Sequence, residues 1–293
     1  GSAATLIVGV LNIPTPVIPS IGTGTGGTLS VWSGSGSSTT LTDGPIKKGV
    51  GNDSVIIGAT GFMTADGEAS IAIGSANVST GNASVALGGS TTASGNVSFA
   101  AGNQTIASGL GSTALGRATQ ATASYSFAAG NTTQATSQGS TAFGWFTEAT
   151  SPFSTAMGSG SVASGSWSTA MGRSTTAGGS YSTAMGRDTN ATGDYSTTMG
   201  QDTTASGNIS IAIGKDNTSA TLGSITIGEG LTSQAYKETI MGTFASDAAT
   251  TPTPGSWVAT DRLFTIGNGD TDASKSTAFS ILKNGITVLP ALQ

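Results

Sequence analysis

Asn82-Ala83-Ser84-Val85-Ala86-Leu87-Gly88 returns far down the chain as Asn208-Ile209-Ser210-Ile211-Ala212-Ile213-Gly214, and an earlier version reads Asp53-Ser54-Val55-Ile56-Ile57-Gly58. Between them the pattern Ser-x-Ala-Φ-Gly (Φ apolar) recurs. Its glycine falls at Gly74, Gly88, Gly102, Gly116, Gly130, Gly144, Gly158, Gly172, Gly186, Gly200, Gly214, Gly228 and Gly242, a constant step of 14 residues. Gly58 precedes Gly74 by 16, which marks a two-residue insertion near residues 62–66. Other columns keep the same phase. Four residues before the glycine stands serine, from Ser54 through Ser224, with Glu238 the one break. Alanine dominates two before it and five after it, and a second glycine is common seven before it.

Self-similarity at a short fixed period is the signature of a stacked repeat. Fourteen residues hold two strands of four or five residues and two tight turns. In Ser84-Val85-Ala86-Leu87-Gly88 the alternation has period two, so Val85 and Leu87 share one face and Ala86 takes the other. The small alanines are therefore expected inside each coil, where two strands lie back to back. The glycines are expected at corners that need positive φ or no side chain. A lone coil cannot bury its apolar face, but a stack can. Thirteen or so coils at about 4.8 Å each predict a rod of roughly 60–70 Å.

Composition supports an ordered repeat. Glycine supplies 45 of 293 residues and charged residues only 9%, where globular chains carry about a quarter. The chain has no cysteine and no histidine. That removes disulfides, thiolate ligands and any nucleophile–histidine triad, and an enzyme is not expected. The net charge of −5 comes without a basic run, so nucleic acid is not an expected partner. No cofactor or metal site is expected.

The apolar residues three and one before each glycine form a second row: Val55/Ile57, Ile71/Ile73, Val85/Leu87, Phe99/Ala101, Phe127/Ala129, Ile211/Ile213 and Ile225/Ile227. In the middle coils it becomes threonine with methionine: Thr155/Met157, Thr169/Met171, Thr183/Met185 and Thr197/Met199. If alanine fills the coil, this row needs a partner surface, and three-fold association would close it around an axis. The competing reading is that these residues are the interior of a monomeric solenoid. The threonine column also invites an ice-binding reading, which its methionine partners and the interface position disfavour.

Five residues before the glycine the column turns aromatic, with Tyr125, Phe153, Trp167, Tyr181 and Tyr195; Trp145 and Phe146 lie nearby. Trp145, Phe146, Phe153, Trp167, Tyr181 and Tyr195 are candidate contacts for a glycan or receptor, because aromatic faces suit the apolar faces of sugars. Packing at a subunit interface is the alternative. Asp188, Asp202 and Asp216 stand one per coil beside Arg187 and Lys215. A solvated ladder of opposite charges is the plain reading, and a cation held between aspartates the other.

The repeat resembles the head of trimeric autotransporter adhesins, whose coils read Asn-Ser-Val-Ala-Ile-Gly. The resemblance covers about residues 50–242. It implies an all-β, left-handed parallel β-roll (β-solenoid) in a parallel homotrimer, with a host cell-surface glycan or protein receptor as partner and a place on the bacterial surface. The flanks are similar to something else. Gly27 to Gly36 and Leu41 to Ile46 resemble segments of phage tail fibres. Asp261 to Gly269 and Ala278 to Gly285 resemble the segment that precedes the self-cleaving chaperone of such fibres. They imply a virion fibre that meets other tail proteins at its N-terminal end, and this is the favoured expectation, with the bacterial adhesin as alternative.

The expected organisation is an N-terminal extended segment (1–49) with Pro14, Pro16 and Pro19, the β-roll (50–242), a linker (243–260) with Pro252 and Pro254, and a C-terminal β cap (261–293). In the cap, Lys283-Asn284-Gly285 between apolar runs predicts a hairpin that covers the last coil's open edge.

Overall fold

The computed structural model describes residues 28–32, 41–48, 54–58, 63–246, 252 and 254–289, the first two segments by their backbone alone. The proline-bearing arm at 3–21 and the start of the insertion near 62–66 lie outside the described residues.

One coil shows how the sequence builds the stack. Gly165 to Ser168 make a β-turn closed by the Ser168 amide donating to the Gly165 carbonyl oxygen at 3.2 Å. The long strand Thr169–Arg173 follows, then a corner at 174–175, then the short strand Thr176–Ala177. Each strand pairs in parallel, and in register, with its counterpart one coil away: Thr155 with Thr169, Ala156 with Ala170, Met157 with Met171, Gly158 with Gly172. Long strands stack this way from Val55–Gly58 to Thr239–Thr243. The short strands form a second parallel sheet of 13, from Thr64–Ala65 to Thr232–Ser233. The architecture is an all-β solenoid of about thirteen turns, about 60 Å long at one strand spacing per coil.

The interior is the alanine core that the spacing predicts. Ala86, Ala93, Ala100 and Ala107 onward through Ala184 and Ala191 form one continuous fully buried cluster, alternating between long-strand and short-strand sheets. The serine column sits beside it, and in several coils its short hydroxyl reaches back to the turn. Ser84 Oγ donates to the Gly81 carbonyl oxygen (2.6 Å) and Ser112 Oγ to that of Gly109 (2.8 Å). The two glycine columns serve different ends. Gly172 needs its positive φ of 137°, and a Cβ there would also fall on the carbonyl oxygen of Gly186. Gly165 has no such φ, but a Cβ would fall on the carbonyl oxygen of Gly179. Close approach of neighbouring coils is thus the common demand.

Both ends of the long-strand sheet finish in antiparallel strands. Leu41–Lys48 pairs with Thr28–Trp32 on one side and with Val55–Gly58 on the other. At the far end Arg262–Asn268 first continues the parallel stack, with Ile266 beside Met241 and Gly267 beside Gly242. Thr277–Leu282 and then Thr287–Val288 add antiparallel strands. The hairpin expected at Lys283-Asn284-Gly285 is present: Gly285 has a φ of 84°, and its amide donates to the Leu282 carbonyl oxygen at 2.9 Å.

Candidate receptor-contact surface

The rows three and one before each glycine point out of the coil. On every long strand after the first, where Ile56 is half-buried, the residue between them faces inward and is buried, alanine in most coils, while Val55, Ile57, Ile71, Ile73, Val85, Leu87, Met157, Met171, Met185, Ile211, Ile213, Ile225 and Ile227 are half-buried on the outer face. Met199 is exposed there. These side chains are not the solenoid's interior; the reading that placed them there gives way to the buried alanines. The two rows, about 7 Å apart along the strand and about 60 Å long down the stack, make a band on the order of 400 Å². Thr155, Thr169, Thr183 and Thr197 share this band with the methionines, so it is no flat lattice of hydroxyls.

The aromatic column occupies the third residue of the turn that opens each coil. That position requires positive φ, and Tyr125 (58°), Phe153 (55°), Trp167 (60°), Tyr181 (57°) and Tyr195 (57°) all adopt it. A left-handed backbone costs a residue with a Cβ about 1–2 kcal/mol, and other coils meet the demand with Gly111, Gly139 and Gly223. From Phe153 to Tyr195 stacking offsets that cost. Ring centroids lie 4.3 Å apart for Phe153–Trp167, 6.4 Å for Trp167–Tyr181 and 5.0 Å for Tyr181–Tyr195, with interplanar angles of 19°, 2° and 2°. Each ring leans back over the preceding coil: Tyr125 stands over Gly111 and Phe153 over Gly139. The rings of Trp167 and Tyr181 thus each have a parallel ring on either side, and what they expose to a ligand is largely their rims.

Trp145 and Phe146 stand apart from that ladder, at the other end of the long strand. Their centroids are 5.2 Å apart and tilted by 51°. Phe143, unnoticed in the sequence, precedes Trp145 by two residues on the same outer face and is 54% exposed.

The aspartate column forms ion pairs. Arg187 meets Asp188 (3.4 Å) and Asp202 (3.6 Å), and Lys215 meets Asp216 (3.5 Å) and Glu229 (2.6 Å). The Glu229 hydrogen bond, then charge attraction, holds the Lys215 ammonium above its ordinary range. Among the described residues no three acidic side chains gather as a metal site would need.

A second cluster, missed in the sequence, locks the cap to the last coil. Buried Glu238, the break in the serine column, meets Arg262 Nε at 2.6 Å. Lys283 lies 3.6 Å from Asp261, also buried, and above the rings of Tyr236 and Trp257. The signal was present: one carboxylate in a column of serines implies a buried cation nearby.

Among protein-family models, the YadA head domain repeat matches residues 65–91, 107–133, 135–161, 149–175, 163–189, 177–200 and 191–217. The matched coils are YadA head repeats. Comparison with curated proteins finds no match. The matched coils share the columns that face inward and most of the corner glycines, which are the parts stacking dictates. The outward columns, where the aromatic and charged ladders lie, vary from coil to coil within it.

Proposed function

We propose that this chain is the head of a homotrimeric bacterial surface adhesin, a rod that holds receptor contacts away from the cell. The observation that carries the reading is the outward apolar band. A band of about 400 Å² has the size of patch that is often functional on a single chain, and its row one before each glycine is apolar in every coil from Ile57 to Met241, through the stack that carries the YadA head repeats. Three chains that turn these rows toward a common axis remove it from water. The role is attachment and support rather than catalysis. Each chain contributes one copy of every outer column, so weak contacts gain from the effective concentration of three on one rod.

The tail-fibre reading of the flanks, with a virion location and tail proteins as partners, gains no support from the comparisons; the family match supports the adhesin. Of the adhesin's two receptor classes, glycan or protein, the exposed aromatic pair Trp145 and Phe146 favours the glycan.

Sedimentation equilibrium tests the assembly. The expected mass is three times the 28.4 kDa of one chain, and Met185→Asp, which would bury a charge at the axis in each chain, should shift it to the monomer. A well-folded wild-type monomer that ignores Met185→Asp refutes the trimer. Binding of the trimer to host cells tests the adhesin role, and its absence across bacterial host tissues refutes that role.

A further inference from the structure

We infer that Trp145 and Phe146 form a binding site for an uncharged sugar ring, one per chain, and that the Phe153–Tyr195 ladder does not. The inference rests on the adhesin reading and names the class of ligand it engages.

Three observations carry it. The first is confinement to one coil. The columns that hold Trp145 and Phe146 carry Asn131 and Thr132 in the coil before, and Ser159 and Gly160 in the coil after. A subunit contact built by the repeat would recur in each coil, as the apolar band does. An aromatic pair in one coil has the footprint of one or two sugar rings.

The second is a bulky ring where the column carries small or polar residues. Phe146 sits at φ 51°, a left-handed corner that Thr132, Gly160 and Ser174 fill in nearby coils. Each ladder aromatic from Phe153 to Tyr195 stacks on a neighbour in its own column. Phe146 has Thr132 before it and Gly160 after it, so its ring meets Trp145 instead, and 52% of its surface stays exposed. A bulky side chain so placed points to a use outside the chain.

The third is geometry and charge. The 51° tilt keeps Trp145 and Phe146 from covering each other as the parallel ladder rings do. An indole face open to water accepts the apolar C–H face of a pyranose. Polar groups flank it: the Thr132 hydroxyl donates to the Asn131 carboxamide oxygen (2.9 Å), which fixes the amide's other end as the donor, and Ser159 stands on the opposite side. The nearest cations in the Trp145 column, Arg117 and Arg173, are each two coils away. The one charge in this coil is Glu148, on the short strand. Sialic acids, uronic acids and phosphates thus meet no counter-charge at the site, and neutral hexoses fit it.

The test uses the full trimer on an array of neutral and anionic glycans, with Trp145→Ser, Phe146→Gly and, as control, Trp167→Gly. Phe146→Gly relieves the strained corner, so loss of binding in that variant cannot be laid to misfolding. We expect binding to neutral glycans, at least tenfold weaker in Trp145→Ser and Phe146→Gly and unchanged in Trp167→Gly, with the trimer mass constant throughout. Four results overturn the inference: no neutral glycan bound by the wild type; preference for anionic glycans; binding indifferent to both variants; or loss of the trimer in Phe146→Gly, which would make the pair a subunit contact. Cell attachment that survives Trp145→Ser and Phe146→Gly would sink this site and leave the adhesin reading standing. Failure of the wild type to attach at all would sink both.

Discussion

Glu238→Ser restores the residue that the other coils carry at that position, and it should nonetheless detach the cap. Glu238 is fully buried. Its Oε1 takes Arg262 Nε at 2.6 Å, and its Oε2 accepts the amides of Gln234 (2.9 Å) and Ala235 (3.0 Å). Serine cannot span that gap. Arg262, whose side chain is 9% exposed, would keep only its hydrogen bond to the Ser246 carbonyl oxygen (2.7 Å) and lose its counter-charge. Removing one partner of a buried ion pair costs about 3–5 kcal/mol. The effect falls on the junction, because Arg262–Asn268 is the strand that joins the cap to the last coil. A loss of about 3 kcal/mol raises the opening constant roughly a hundredfold. Hydrogen exchange of the Thr277–Leu282 amides reads it directly, with the amides of Thr169–Arg173 as an unaffected reference. The Glu238→Ser/Arg262→Met double variant removes both charges and should recover most of the loss. Exchange at the cap within a few-fold of wild type in Glu238→Ser, or a double variant as labile as the single one, would refute the reasoning.

Gly172→Ala adds a methyl that falls on the Gly186 carbonyl oxygen at a φ of 137°; this should split the stack into halves that limited proteolysis separates near residue 172, and a protease-resistant variant would contradict the stacking argument. Trp167→Gly removes two ring contacts, each about 0.5–1.5 kcal/mol, and relieves a left-handed corner costing about 1–2 kcal/mol. The two nearly cancel, so chemical denaturation should find a net change of about 1 kcal/mol or less, and a loss above about 3 kcal/mol would show that Trp167 packs against a partner chain.

The inward half of the coil was legible because stacking leaves it no freedom. Where the two strands face each other the interior residue is alanine in most coils, and the corners pressed against the next coil are mostly glycine, so those columns print the period directly. The charge lock was hidden because its partners, Glu238 with Arg262 and Asp261 with Lys283, lie outside the regular step and only the fold brings them together. The same holds for Ile266-Gly267. That pair repeats the end of the coil motif, but 25 residues after Gly242 rather than 14, so its place as one more rung of the sheet appears only in the strand pairing. The buried column three after each glycine, threonine through most of the stack, was legible in principle and carried no chemistry to draw notice. Its two asparagines show what it does near the ends: Asn77 Nδ2 donates to the carbonyl oxygens of Ile73 (2.6 Å) and Gly88 (2.9 Å), and Asn217 Nδ2 to those of Ile213 (2.7 Å) and Gly228 (2.8 Å).

The division between inward and outward columns also says where binding should be sought in such a rod. An inward change is felt by the coils on both sides, so selection holds those columns fixed for stability alone. An outward change costs little, because a neighbour one strand spacing away contributes only a weak cross-strand term. Outward residues can therefore be set one coil at a time. A column that stays constant over many coils, such as the methionines at 157, 171, 185 and 199, answers to something equally long, and a second chain in register is such a partner. A departure confined to one coil, such as Trp145 and Phe146, answers to something small. On this argument Phe143 belongs with the long band by its column and with the aromatic pair by its exposure of 54%. It sits where the two surfaces meet, so in the proposed trimer the sugar site would lie at the rim of the subunit groove, with three copies facing outward together.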